Sequence, residues 1–178
     1  MKFGWFWVVL LCGLLSACAS LSNSNKILTD EPLSRPVIEA FQGRLLVMEP
    51  ARRWQVMIYW QANLQQGYTR LVHAASGRVV ELKWQDHHIQ MRDNQQQLPI
   101  WRQIGLETLM QHGIILEPWT LAEILHQKMP SSLHKRDGEM WQGVLHGNVI
   151  QLRWQHGGHK LTMTDMTHGR TAILQMQR

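Results

Sequence analysis

From residue 41 onward, apolar and polar side chains alternate in short runs, the period of strands with one buried face. Phe41, Leu45 and Val47 alternate with Gln42 and Arg44, although Leu46 and Met48 blur the pattern. Trp54, Val56, Ile58 and Trp60 then share one face, and Gln55, Tyr59 and Gln61 the other. Further strands are predicted over Gly67–Ala74, over Gly77–Gln85, where Val80, Leu82 and Trp84 share a face, and over His88–Arg92. Turn chemistry at Ser76-Gly77 and at Gln85-Asp86-His87 joins them as tight hairpins. Five such strands in succession predict an antiparallel meander.

The middle of the chain changes period. Trp101–Gln111 places Leu106, Leu109 and Met110 at helical spacing, with Gly113 as the stop. Thr120-Leu121-Ala122-Glu123 reads as a capping box, with Trp119 and Ile124 at the staple positions and Leu125 on the same helix. Pro130 requires that helix to end near Met129. Strands resume over Glu139–Leu145, Val149–Gln155, Lys160–Asp165 and Thr171–Gln177, divided by Gly157-Gly158 and His168-Gly169. The order is five strands, two helices, four strands. A sheet of that size must curl or close to bury one face and hide its edges. The expected fold is mainly β: an open, strongly curved antiparallel half-barrel with two short helices covering the mouth of an apolar cavity.

Composition narrows the function. With 44% apolar residues and nine tryptophans in 178 residues, the chain is one globular domain, not a disordered one. The two cysteines, Cys12 and Cys18, leave nothing to staple the rest. The net charge of +5 gathers into no basic stripe beyond the pairs Arg52-Arg53 and Lys135-Arg136, so no nucleic-acid partner is expected. His87-His88 and the pair His156 and His159 flank turns, where polar residues belong, and no H-E-x-x-H helix exists; no metal or other cofactor is expected. Without a G-x-S-x-G elbow or a thiol beyond residue 18, no enzyme is expected.

At the N-terminus, Lys2 precedes the uncharged run Phe3–Leu15, too short to span a hydrocarbon core of about 30 Å as a helix. Leu15-Ser16-Ala17-Cys18 resembles the lipobox of bacterial lipoprotein signal peptides. That resemblance implies removal of residues 1–17 and lipid attachment to Cys18, as a diacylglycerol thioether with an acylated (palmitate-type) amine. Ala19, where inner-membrane lipoproteins carry aspartate, implies the periplasmic face of the outer membrane. Residues 18–36, rich in Ser and Asn and holding Pro32 and Pro36, read as a tether to the domain 37–178.

Over residues 38–177 the chain resembles the LolB family of outer-membrane lipoprotein receptors. The likeness is carried by Phe41-Gln42-Gly43-Arg44, Trp60-Gln61, Gly67-Tyr68-Thr69-Arg70-Leu71, Ile114-Ile115-Leu116-Glu117-Pro118 and Lys128-Met129-Pro130. The family fold implies an open barrel of about eleven strands, two more than the pattern yields, with helices over an apolar cavity. The family activity implies acceptance of lipoproteins from a periplasmic LolA-like carrier and their insertion into the outer membrane by a monomer. Its partners would be the carrier, lipoprotein acyl chains and outer-membrane lipid. Trp54, Val56, Ile58, Trp60, Leu82 and Trp84 are the candidate cavity lining. Trp101, Leu106, Leu109, Met110, Trp119, Leu121, Ile124 and Leu125 are the candidate lid. The insertion loop corresponds to Ala75, Ser76 and Gly77, where the family carries a protruding bulky apolar residue. Serine cannot supply the roughly 1.5–3 kcal/mol that a buried leucine gains. A lipid- or glycan-binding envelope module without insertion activity is the alternative.

Overall fold

The computed structural model describes residues 35–177. The stretch read as a signal peptide, Cys18 and the stretch read as a tether, up to residue 34, lie outside the described residues. Eleven strands and two helices follow: β1 (Ala40–Met48), β2 (Arg53–Ala62), β3 (Gln66–His73), β4 (Arg78–Gln85), β5 (His88–Asp93), β6 (Arg102–Ile104), α1 (Leu106–Gln111), α2 (Pro118–Leu125), β7 (Leu133–Asp137), β8 (Met140–Leu145), β9 (Asn148–Gln155), β10 (Lys160–Asp165) and β11 (Arg170–Gln177). All strands join one antiparallel sheet in the order β6-β5-β4-β3-β2-β1-β11-β10-β9-β8-β7.

Sequence neighbours pair everywhere except at the β1–β11 seam, which runs from Gln42 opposite Gln177 to Met48 opposite Thr171. The edge strands β6 and β7 do not pair, so the sheet stays open. It is nevertheless strongly curved. Trp60 and Leu82 from one wing and Leu152, Leu161 and Met163 from the other belong to one buried cluster with Leu109, Ile124 and Leu125 of the helices. That cluster closes within the compact unit Ser34–Arg178, which therefore carries its own core.

The alternation that predicted the strands is the alternation of burial. In β2, Val56, Ile58 and Trp60 are buried while Gln55, Tyr59 and Gln61 are exposed; in β9, Ile150, Leu152 and Trp154 are buried. Close strand approach requires glycine at several points, Gly43 and Gly67 among them. A Cβ on Gly43 would meet the Gln175 carbonyl oxygen at 2.0 Å, and one on Gly67 would meet the Trp84 ring at 2.2 Å. Gly67 lies opposite Trp84 in the register, so the indole covers the gap that the missing side chain leaves.

Two strands escape the sequence pattern. β6 lies inside the stretch expected to be helical from Trp101; three residues pair with β5, Ile104 opposite Ile89, before the helix starts at Leu106. β7 buries only Leu133 and exposes His134–Asp137, so it has no apolar alternation to read.

The helix ends also differ from expectation. α2 begins at Pro118, in the first-turn position that its fixed φ favours, with Glu117 as the N-cap residue. Thr120 is therefore inside the helix and caps nothing: its hydroxyl donates to Glu117 Oε2 at 3.1 Å. The helix stops at Leu125 and not near Met129. Gln127 takes a left-handed φ of +64°, its N–H reaching the Ile124 carbonyl and that of Lys128 the Glu123 carbonyl. This Schellman closure satisfies the last carbonyls before Pro130 is reached. α1 closes likewise at Gly113 (φ +77°), as its sequence predicted, with Ile114 N–H on the Leu109 carbonyl.

Register defines two ends of the sheet. The β1–β2, β3–β4, β5–β6, β8–β9 and β10–β11 connections lie at one end, called the mouth. The β2–β3 and β4–β5 turns lie at the other. There Ile38 N–H donates to the Leu125 carbonyl at 3.1 Å. Arg35, within the stretch read as tether, is buried at the same end with its guanidinium 4.1 Å from the Trp154 ring centre and 3.4 Å from Glu139.

Candidate functional site

The concave face of β2–β5 and the end of α1 enclose a hollow of about 420 Å³. Trp54, Val56, Leu71, Val80, Leu82 and Met91 supply its wall from the sheet, and Leu109 and Ile114 its roof. These positions are inward because strand side chains alternate, and register sets them side by side: Leu71 faces Val80, and Leu82 faces Met91. A smaller void of about 60 Å³ shares Leu71, Leu82 and Ile114 and adds Ile58, Trp60 and Leu121. An apolar hollow of this size falls in the range of ligand pockets, and the hydrophobic effect favours hydrocarbon over water in it.

The mouth of the hollow is polar and cationic. Arg52 and Arg53 come from the β1–β2 connection, His73, Ser76 and Arg78 from the β3–β4 hairpin, Gln95 from the loop after β5, and His112 from the end of α1. Arg78 holds the buried Asp93 through Nε at 3.1 Å and Nη2 at 2.6 Å, while its own side chain stays 40% exposed. Burial pushes the Asp93 carboxyl up, but the hydrogen bonds from Arg78 and the Gln95 N–H, with the charge of Arg78 and of His112, bring it below its ordinary value. Arg53 makes no ion pair among the described residues.

α1 is fastened at the mouth by two arginines from different hairpins. Arg52 Nη2 donates to the Gln111 carbonyl at 3.0 Å, and Arg170 Nη1 donates to that of Met110 at 3.2 Å. Both sit at the negative end of the helix, where cations are favoured. Glu49 holds Arg52 in place, and that hydrogen bond lowers the Glu49 carboxyl below its usual range.

The sequence-predicted residues distribute as follows. Trp54, Val56 and Leu82 line the 420 Å³ hollow, and Ile58 and Trp60 the void beside it. Trp84 packs on Trp60 at 5.0 Å and instead edges a polar hollow of about 740 Å³ at the far end, lined mainly by amides and charges such as Gln61, Lys83, Gln90 and Gln103. More of that larger hollow's lining is polar than apolar, so it suits an acyl chain less well than the 420 Å³ hollow does. Of the candidate lid, Leu106, Leu109 and Met110 lie on α1 and Trp119, Leu121, Ile124 and Leu125 on α2. Trp101 does not belong to the lid: it precedes β6 and packs on the outer face, between Lys83 Nζ at 4.5 Å and Arg92 at 4.9 Å. Ala75, Ser76 and Gly77 form the β3–β4 turn, where His73 Nδ1 accepts from the Ser76 N–H and lies 2.9 Å from Ser76 Oγ.

Leu71, Val80, Met91 and Ile114 were missed as lining. For the three strand residues part of the signal was present: Met91 lies between Gln90 and Arg92, and Val80 shares a face with Leu82, whereas Val72 beside Leu71 and Val79 beside Val80 blur the alternation. Ile114 follows the helix stop and has no periodic partner. Among the described residues, no three His, Cys, Asp or Glu side chains gather where a metal ion would be held.

No protein-family model matches the chain, and no curated protein does. Among solved structures the chain is similar to the crystal structure of LolA superfamily protein NE2245 from Nitrosomonas europaea. The identity is 9% and the TM-score 0.44, with 81% of this chain and 86% of that chain covered.

Proposed function

We propose that the protein is an acceptor of acyl chains, tethered through a lipid on Cys18 to the periplasmic face of the outer membrane. It takes lipoproteins from a LolA-like carrier and passes them to the bilayer. The observation that carries this reading is the apolar hollow of about 420 Å³ beneath a helix fastened by side chains alone. It needs no reacting groups: release requires only a difference in affinity between donor, hollow and membrane, and 1.4 kcal/mol is about tenfold. A triacylated lipoprotein needs more room than the closed hollow provides, so α1 must move off it.

Membrane contact has a source other than the Ser76 turn. At the mouth end Leu98 and Ile100, in the β5–β6 loop, are 65% and 53% exposed; Val144 and Met166 at the same end are 54% and 53% exposed. Exposed apolar tips beside arginines suit an interface with anionic headgroups. The competing reading, a binding module without insertion activity, draws on the small, polar β3–β4 turn.

The test mixes the domain Ser34–Arg178 with a carrier loaded with tagged lipoprotein, with and without liposomes. Transfer to the domain and then to liposomes is expected, reduced by L98S/I100S at the second step only. Absence of any transfer to the domain overturns the proposal. Transfer to the domain without passage to liposomes, unchanged by Ser76→Leu, favours the binding module.

A further inference from the structure

The hollow and its rim together specify a smaller ligand than a lipoprotein. An apolar cavity of about 150 Å³ holds one benzene; the hollow of about 420 Å³, its polar mouth included, is roughly three times that, room for one acyl chain with its head and not for three chains. One chain therefore fits with α1 closed. The rim above it is set with guanidinium groups. Arg52 is committed to Glu49 and the Gln111 carbonyl. Arg78 spends Nε and Nη2 on Asp93 and leaves its remaining edge toward solvent. Arg53 is paired with no carboxylate among the described residues. The two carboxylates beside the rim, Glu49 and Asp93, are thus both already matched, and His73 and His112 add no negative charge.

We infer that the closed protein binds a single-chain anionic amphiphile, with the chain against Trp54, Leu82 and Met91 and the head on Arg53 and the free edge of Arg78. A guanidinium recognises a carboxylate or a phosphate oxygen equally through charge-assisted hydrogen bonds. A free fatty acid and a lysophospholipid share that chemistry. The inference rests on the acyl-chain reading and narrows it: the resting occupant is acidic and single-chained, and a neutral triacyl group enters only after the lid moves.

The experiment titrates the domain Ser34–Arg178 with palmitate, with a lysophosphatidylglycerol and with hexadecanol, each below its aggregation threshold, and follows tryptophan emission. Binding of either anionic amphiphile about tenfold tighter than hexadecanol is expected, the effect of one hydrogen bond to a charge. Added salt and Arg53→Gln each remove that advantage while hexadecanol binding stays the same, and the tighter of the two acids identifies the source of the head. Equal binding of all three, indifferent to Arg53→Gln, overturns the inference and leaves the acyl-chain reading standing. Binding of none of the three, by a domain whose thermal unfolding stays cooperative, overturns both.

Discussion

The Tyr68 hydroxyl donates to Glu81 Oε1 at 2.5 Å across β3 and β4, and Arg92 holds the second oxygen of the same carboxylate through Nε at 2.6 Å. Burial and then the Glu81 hydrogen bond push the phenol from 10.0 up to about 12. A group whose folded pKa is raised stabilises the fold fully below its unfolded pKa and ceases to do so as pH passes the folded one. In urea unfolding the Tyr68 contribution should be constant up to about pH 10 and be lost toward about pH 12. In Glu81→Gln the ultraviolet phenolate transition should begin at lower pH; an unchanged transition would show that Glu81 is not its cause.

Arg78→Ala leaves the buried Asp93 without its partner. Because the arginine is partly exposed, the cost should lie between that of surface and buried pairs, about 2 kcal/mol at neutral pH. The Asp93 carboxyl is depressed in the folded state, so its contribution is present above the ordinary carboxylate pKa and disappears as pH falls through the folded value. Wild type and Arg78→Ala should therefore converge in acid. Parallel curves at every pH would contradict the pairing.

Replacing Arg52 and Arg170 together by glutamine should loosen α1 without unfolding the sheet. Hydrogen exchange over residues 106–112 should accelerate while that of β9 and β10 stays the same. Glu49, held low by its hydrogen bond to Arg52, loses its charge only well into acid, so wild-type exchange of this helix should rise there and not near neutrality. Unaltered exchange in the double variant would mean that packing of Leu109 alone retains the helix.

Gly43→Ala should cost about 1–3 kcal/mol, because its Cβ meets backbone across the seam and backbone cannot swing aside. Gly105→Ala, with nothing within 4 Å of the new atom and an ordinary φ of −87°, should stay within about 0.5 kcal/mol of wild type. The comparison is a urea titration of the two variants. Equal losses would place the strain elsewhere than in the seam.

Most of the architecture was legible because alternation and burial report one fact, the two-sidedness of a strand. Nine strands and the half-barrel follow from it, and the stop at Gly113 follows from the left-handed residue that a helix end favours. β6 and β7 were not legible: three residues are too few for a period, and an edge strand that faces solvent shows none. Thr120 misled because a capping box is a local signature, and Pro118 two residues earlier offered the chain a better first turn. Trp101 was placed on the lid by helical spacing, yet two cations on the outer face hold it there. Trp84 shares an inward face with Leu82, but inwardness does not say at which level along the strand a hollow opens.

Every pairing in this sheet is between neighbours in sequence save that of β1 with β11, and this makes assembly a matter of timing. Hairpins of adjacent strands close on microseconds, whereas bringing Gln42 to Gln177 must wait for almost the entire domain to be available. Until then β1 carries a bare edge of amides and carbonyls, open to any other extended polypeptide. A nascent or threading molecule is thus unable to complete its sheet before β11 emerges, and interruption upstream of Arg170 yields a sticky, half-zipped intermediate in place of a smaller working version.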